Sequence, residues 1–106
     1  MAVSVVGGNI RAMGILTVTY DPASVATITT AEDTVTVPGL RVGDVVHVNK
    51  PTATTGVGIV NARVSAANTL AVTWVNPTAG SVNPASETYT VLWFRPDYAT
   101  GSAAID

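Results

Sequence analysis

The chain's only histidine, His47, stands in the stretch TVTVPGLRVGDVVHVNKP with Arg41 and Lys50, two of its five basic residues. Nucleophilic catalysis needs a base beside a serine, threonine or lysine, and His47 is the one imidazole available for that role. The residues around it alternate as a sheet strand does. Val46 and Val48 fall on one face, and Val45, His47 and Asn49 on the other. A strand histidine between a valine and an asparagine reads as a surface residue. A zinc site takes three or four ligands from Cys, His, Asp and Glu, and one histidine with no cysteine does not supply the usual sets. For calcium the candidates are Asp21, Asp33 and Asp44, but no D-x-[DN]-x-[DN]-G loop surrounds them.

Glycoside chemistry needs two carboxylates facing one cleft, whereas the seven acids here are spread through turns and ends. Asp33 and Asp44 sit where a turn aspartate bonds its own backbone. Gly7-Gly8 and Gly56-x-Gly58 are not phosphate loops, since neither leads into a helix or precedes the needed lysine. Trp74 and Trp93 have the chemistry to stack on a sugar. However, they alternate with Leu70 and Val72, and with Tyr89 and Val91, which places both in a core. The chain therefore reads as non-enzymatic, with no cofactor and no metal, and its function as a surface.

The composition bounds what kind of surface. With 106 residues the chain fits one domain, 1–106. Charged residues make up 11%, against roughly 25% in an ordinary soluble domain. No apolar run approaches the roughly 20 residues of a spanning helix, so no membrane partner is expected. The net charge of −2 and the lack of a basic stripe argue against nucleic acid. The N-terminus MAVSVVGGNIRAM has no basic n-region and breaks at Gly7-Gly8. It does not read as a secretory signal, and the protein is expected to stay in the cell that makes it or to leave by lysis. A surface so poor in charge repels neighbours weakly and suits permanent packing against other subunits. The plainer alternative is a domain in which threonine replaces charge on the solvent face.

The elements that must carry this surface are strands. Alternation predicts them at residues 14–20, 24–30, 34–37, 45–49, 57–65, 69–75 and 87–96. Turn chemistry separates them at Asp21-Pro22, Ala31-Glu32-Asp33, Pro38-Gly39, Gly43-Asp44 and Ala66-Ala67-Asn68. Residues 1–13 read as an N-terminal arm or edge segment, and 97–106 as an extended C-terminal tail. In the fifth strand Val60, Ala62 and Val64 are expected on one side, with Ile59, Asn61 and Arg63 on the other. The expected fold is a single-domain antiparallel β-sandwich of about seven strands, jelly-roll-like, with an Ig-like order as the alternative.

One strand breaks the rule of a single apolar face. In ETYTVLWFRP, Tyr89, Val91 and Trp93 form one face while Leu92 and Phe94 crowd the other. Something must cover that second face: the arm, the tail or another subunit. Leu92 and Phe94, with Val45 and His47 on the outer face of their own strand, are the candidate interface residues.

The order TVTVPGLRVGDVVHVNKP, then GVGIVNARVSAANTLAVTWVNPTAG, then ETYTVLWFRP resembles a module of small virion structural proteins of tailed bacteriophages. These are of the capsid cement, decoration or head-fibre type. The resemblance covers roughly residues 33–95 and rests on Pro38-Gly39-Leu40, Val42-Gly43-Asp44-Val45-Val46, Gly58-Ile59-Val60 and Val64-Ser65-Ala66-Ala67-Asn68-Thr69-Leu70. It implies a small β-sandwich, often a trimer, made in the host cytoplasm and bound through the major capsid protein to the outer capsid surface. There it would clamp adjacent coat subunits against the pressure of packaged DNA. The alternative is an adhesion or receptor-binding module of a fibre or tail, working through the loops at 50–56 and 76–86.

Overall fold

The computed structural model describes residues 10–96. Among them six strands run in the order β1 (Ile10–Tyr20), β2 (Thr29–Thr36), β3 (Val45–Asn49), β4 (Gly58–Ala66), β5 (Thr69–Asn76) and β6 (Glu87–Pro96). They form two antiparallel three-stranded sheets, β1-β6-β3 and β2-β5-β4, with the core between them. Leu70, Val72 and Trp74 from β5 meet Tyr89 and Val91 from β6, all at 1% exposure or less. Burying such side chains contributes about 2 kcal/mol each. Three aromatic rings meet at the centre of the core. Tyr20 packs against Trp74 and Tyr89 with centroids 6.3 and 5.1 Å apart.

Three features depart from the alternation. The strands expected at 24–30 and 34–37 are replaced by one, β2, which runs straight through Ala31-Glu32-Asp33. Local composition favours a turn there, but tertiary partners override it. All of β2 pairs with β5. Glu32 reaches Arg63, and Asp33 accepts hydrogen bonds from the Tyr20 hydroxyl and the Ala23 amide. Residues 24–28 keep only an isolated bridge, Val25 to Val82. The strand count is therefore six among the described residues, below the expected seven.

In β4, Ile59 pairs with Trp74 and Asn61 with Thr73, leaving Val60 as an extra, bulged residue. Ile59 consequently packs against the core and Val60 is 57% exposed, the reverse of the expected faces. Ala62 and Val64 point inward as expected.

β1 begins at Ile10, so residues 10–13 belong to an edge strand, the edge segment and not the arm of the two expectations. The rest of the expected arm, 1–9, and the expected tail, 97–106, lie outside the described residues.

The turns are built as their residues dictate. Gly39 and Gly43 both have φ of 100°, each as the third residue of a turn closed by a backbone bond, Leu40 to Val37 and Asp44 to Arg41. The long loop after β5 is anchored by Asn76, which is completely buried. Its amide donates to the carbonyls of Val25 and Gly80, and its oxygen accepts from the Thr78 amide and hydroxyl.

Candidate functional site

The outer face of the β1-β6-β3 sheet is where an apolar surface is left without cover from the described residues. The register fixes its rows. Met13 stands opposite Phe94 and Phe94 opposite Val45; Ile15 stands opposite Leu92 and Leu92 opposite His47. All four interface candidates, Leu92, Phe94, Val45 and His47, thus lie side by side in two adjoining rows. Met13, Ile15 and Val45 are 55%, 71% and 52% exposed. Leu92 and Phe94, on the central strand, are half-buried between their neighbours. The next rows change character: Thr17, Thr90 and Asn49, then Thr19 with Thr88. The face is therefore apolar toward the Ile10 end and hydroxyl-rich toward the Tyr20 end.

Met13 and Ile15 were not among the interface candidates. Met13 fell outside a strand expected to start at Gly14, whereas Ile15 lay inside it, on the face of Thr17 and Thr19; the alternation of all four extends through Gly14. Gly14 does not start the strand but makes room for an indole. A Cβ there would stand 3.0 Å from Nε1 of Trp93, so the indole would have to shift by a few tenths of an ångström to admit it. Trp93 packs against the core edge, as its alternation predicts, with the Arg95 guanidinium 4.9 Å from the ring centroid.

The other sheet presents a different outer face. Arg63 of β4 reaches Glu32 of β2 through two bonds of 2.8 and 2.9 Å. Register places Glu32 opposite Thr73 and Arg63 opposite Ala71, so the pair spans the central strand. Ala71, expected outside, does lie on that face but has no exposure. The ion pair thus covers Ala71 on this side of the sandwich, and among the described residues no ion pair crosses the outer face of β1-β6-β3.

At the Ile10 end a cleft of about 180 Å³ is lined by Arg11, Arg41 and Arg95 around Asp44. Arg95 is committed: its Nε and Nη2 donate to the two Asp44 oxygens at 2.9 Å, and Nη2 also donates to the Gly39 carbonyl at 3.0 Å. Asp44 accepts the Arg41 amide as well, as a turn aspartate does. These donors, the Arg95 side chain first, hold the Asp44 carboxyl below the usual carboxylate range. Asp33 lies within β2 and not in a turn, though its carboxylate does accept the amide of the next residue, Thr34, at 3.1 Å.

A second cleft, about 230 Å³, follows the seam between β3 and β4 and includes His47, but its lining holds no carboxylate. Among the described residues no group of three His, Cys, Asp or Glu side chains stands close enough to hold a metal ion. No helix among them is long and apolar enough to cross a membrane. Comparison with protein-family models, with curated proteins and with solved structures returned no match.

Proposed function

We propose that this chain is a non-enzymatic structural protein of a tailed-bacteriophage particle. In this reading it is a capsid cement or decoration protein that binds the major capsid protein on the outer surface and stabilises the coat lattice. The observation that carries the reading is the outer face of β1-β6-β3, where Met13, Ile15, Leu92, Phe94 and Val45 form one continuous apolar surface beside His47. A contiguous apolar face of this kind marks a contact, and threonine and asparagine beside it supply the polar margin an interface uses.

The strand order supports the jelly-roll form of the fold. β1 pairs with β6 and β2 with β5, and β3 touches β4 across the seam. Nested pairs of this sort arise when one long hairpin is rolled into two sheets, which is the jelly-roll principle with fewer strands. Jelly rolls serve many functions, so this is support from architecture alone. Self-association belongs to the reading, with a trimer implied by the resemblance.

The adhesion alternative would use the loops at 50–56 and 76–86. Polar groups of both loops are engaged internally: Lys50 and Thr52 with Glu87, and Thr78 and Gly80 with Asn76. That favours the sheet face over the loops as the working surface.

The test is co-sedimentation with capsids that lack the protein. Wild type is expected to bind and to raise the temperature at which the capsids rupture. Phe94→Glu and Ile15→Glu are expected to lose binding about hundredfold while melting as wild type does. Undiminished binding by both variants, or no binding by wild type, rules the reading out.

A further inference from the structure

A sheet edge offers unpaired N–H and C=O groups to any passing strand, and proteins blunt such edges with charges, proline, bulges or shortness. Three of the four edges here carry such devices. β2 turns a carboxylate inward at Asp33 and carries Glu32 beside it. β3 is only five residues long and runs into Lys50-Pro51. β4 is bulged at Val60 and again at Ser65 and carries Arg63. β1 is different. It is the longest strand, 11 residues, and its only irregularity is at Arg11. From Ala12 to Tyr20 it has no charge, no proline and no bulge. Among the described residues nothing pairs with its free side.

We infer that the β1 edge is the self-association surface of this protein, and that its occupant is β1 of a second copy, antiparallel across a two-fold axis at Leu16. An unprotected edge could close on itself or on a different edge. The other three edges are blunted, which leaves the isologous pairing. The charges then specify the register. In an antiparallel pair, opposed residues share a face, so within the regular run Ala12–Tyr20 the two positions sum to an even number, and an axis at Leu16 pairs that whole run with itself; Arg11, at the bulge, and Asp21, just past the strand, flank it. Centring the axis on Leu16 sets Ile15 opposite Thr17, Met13 opposite Thr19 and Arg11 opposite Asp21. Arg11 and Asp21 are the charges bounding the uncharged run, and both are exposed. Each copy's Arg11 meets the other's Asp21, so the ladder is closed at both ends by opposite charges. Moving the axis by one residue either way sets Arg11 against Thr19 or Ala23 instead.

The product is one continuous sheet with both apolar outer faces on the same side. The assembly unit is a two-fold dimer, where the resemblance implied a trimer. This inference stands on β1 alone and does not depend on which particle the protein serves.

Sedimentation analysis over the micromolar range tests it. Wild type is expected to be a dimer. Arg11→Asp and Asp21→Arg alone are each expected to weaken the dimer about tenfold, because each sets like charges opposite one another. The combined charge swap is expected to restore it. Amide exchange on the wild-type protein is a second readout. In the dimer, slow amides run consecutively along β1; a bare edge gives slow and fast in alternation. A monomer, a trimer, or a swap that does not restore the dimer overturns the proposal.

Discussion

Asp44 shows how a single residue carries several of the constraints at the Ile10 end of the molecule. Its carboxylate closes the turn through the Arg41 amide and pins β6 to that turn through Arg95. Arg95 in turn caps the Trp93 ring, which occupies the space Gly14 leaves. The Asp44 side chain is 1% exposed, so removing its charge leaves the guanidinium without its partner. The sign of the pH dependence follows. The folded state holds the Asp44 carboxyl below its ordinary value, chiefly through Arg95. The stabilisation is therefore complete above the unfolded carboxylate pKa of about 4 and is lost as pH falls through the lower folded value. Glu87 behaves likewise through Lys50 and Thr52. Asp44→Asn is expected to lower Tm at neutral pH by about 5–10 °C. The gap between variant and wild type is expected to narrow as pH falls below about 4, because the wild-type carboxyl takes up its proton as pH approaches the lower folded value. Thermal melts from neutral pH down through that range measure both effects. A constant gap between the two proteins at every pH would show that the charge is not what Asp44 contributes.

At the scale of the elements, the bulge in β4 separates packing from periodicity. Strict alternation puts Val60 inside and Ile59 outside; the register puts Ile59 against the core and Val60 in solvent. Val60→Asp is therefore expected to shift Tm by no more than about 3 °C. Ile59→Asp sets an unpaired carboxylate against the core and is expected to cost at least about 10 °C. Calorimetry of the two variants decides between the faces, and the opposite ranking would place the bulge elsewhere. This strand also shows why part of the fold was legible in the sequence and part was not. Alternation is a local signal, and it correctly assigned β3, β5 and β6, including the outward Leu92, Phe94, Val45 and His47. It also found the turns where Gly39 and Gly43 need positive φ. What it could not carry was set by distant partners. A bulge depends on the neighbouring strand's register. Ala31-Glu32-Asp33 became strand because Arg63 and Tyr20 take up its carboxylates. Met13 was lost from the candidate face because Gly14 looked like an end, though Trp93 needs its space; Ile15 lay inside the expected strand but beside Thr17 and Thr19, on a face that read as polar.

For the whole molecule, the two outer faces divide the work. One carries the Glu32–Arg63 pair across Ala71; the other, among the described residues, is uncovered and apolar beside the unblunted edge of β1. If two copies join through that edge, their apolar patches lie on one side of one sheet, and a dimer engages a repeating coat lattice at two points. The second contact is then intramolecular, and its gain comes from effective concentration with no new contact required. This separates the edge from the face experimentally. Asp21→Arg leaves Met13, Ile15, Leu92, Phe94 and Val45 untouched but removes both charge pairs from the dimer. At protein concentrations where wild type is dimeric and the variant is not, capsid binding by Asp21→Arg is expected to fall about hundredfold. Adding Arg11→Asp to it should restore dimer and capsid binding together. Capsid affinity that stays at the wild-type level in the monomeric variant would mean that each patch binds the coat alone, and that pairing through β1 serves some other step.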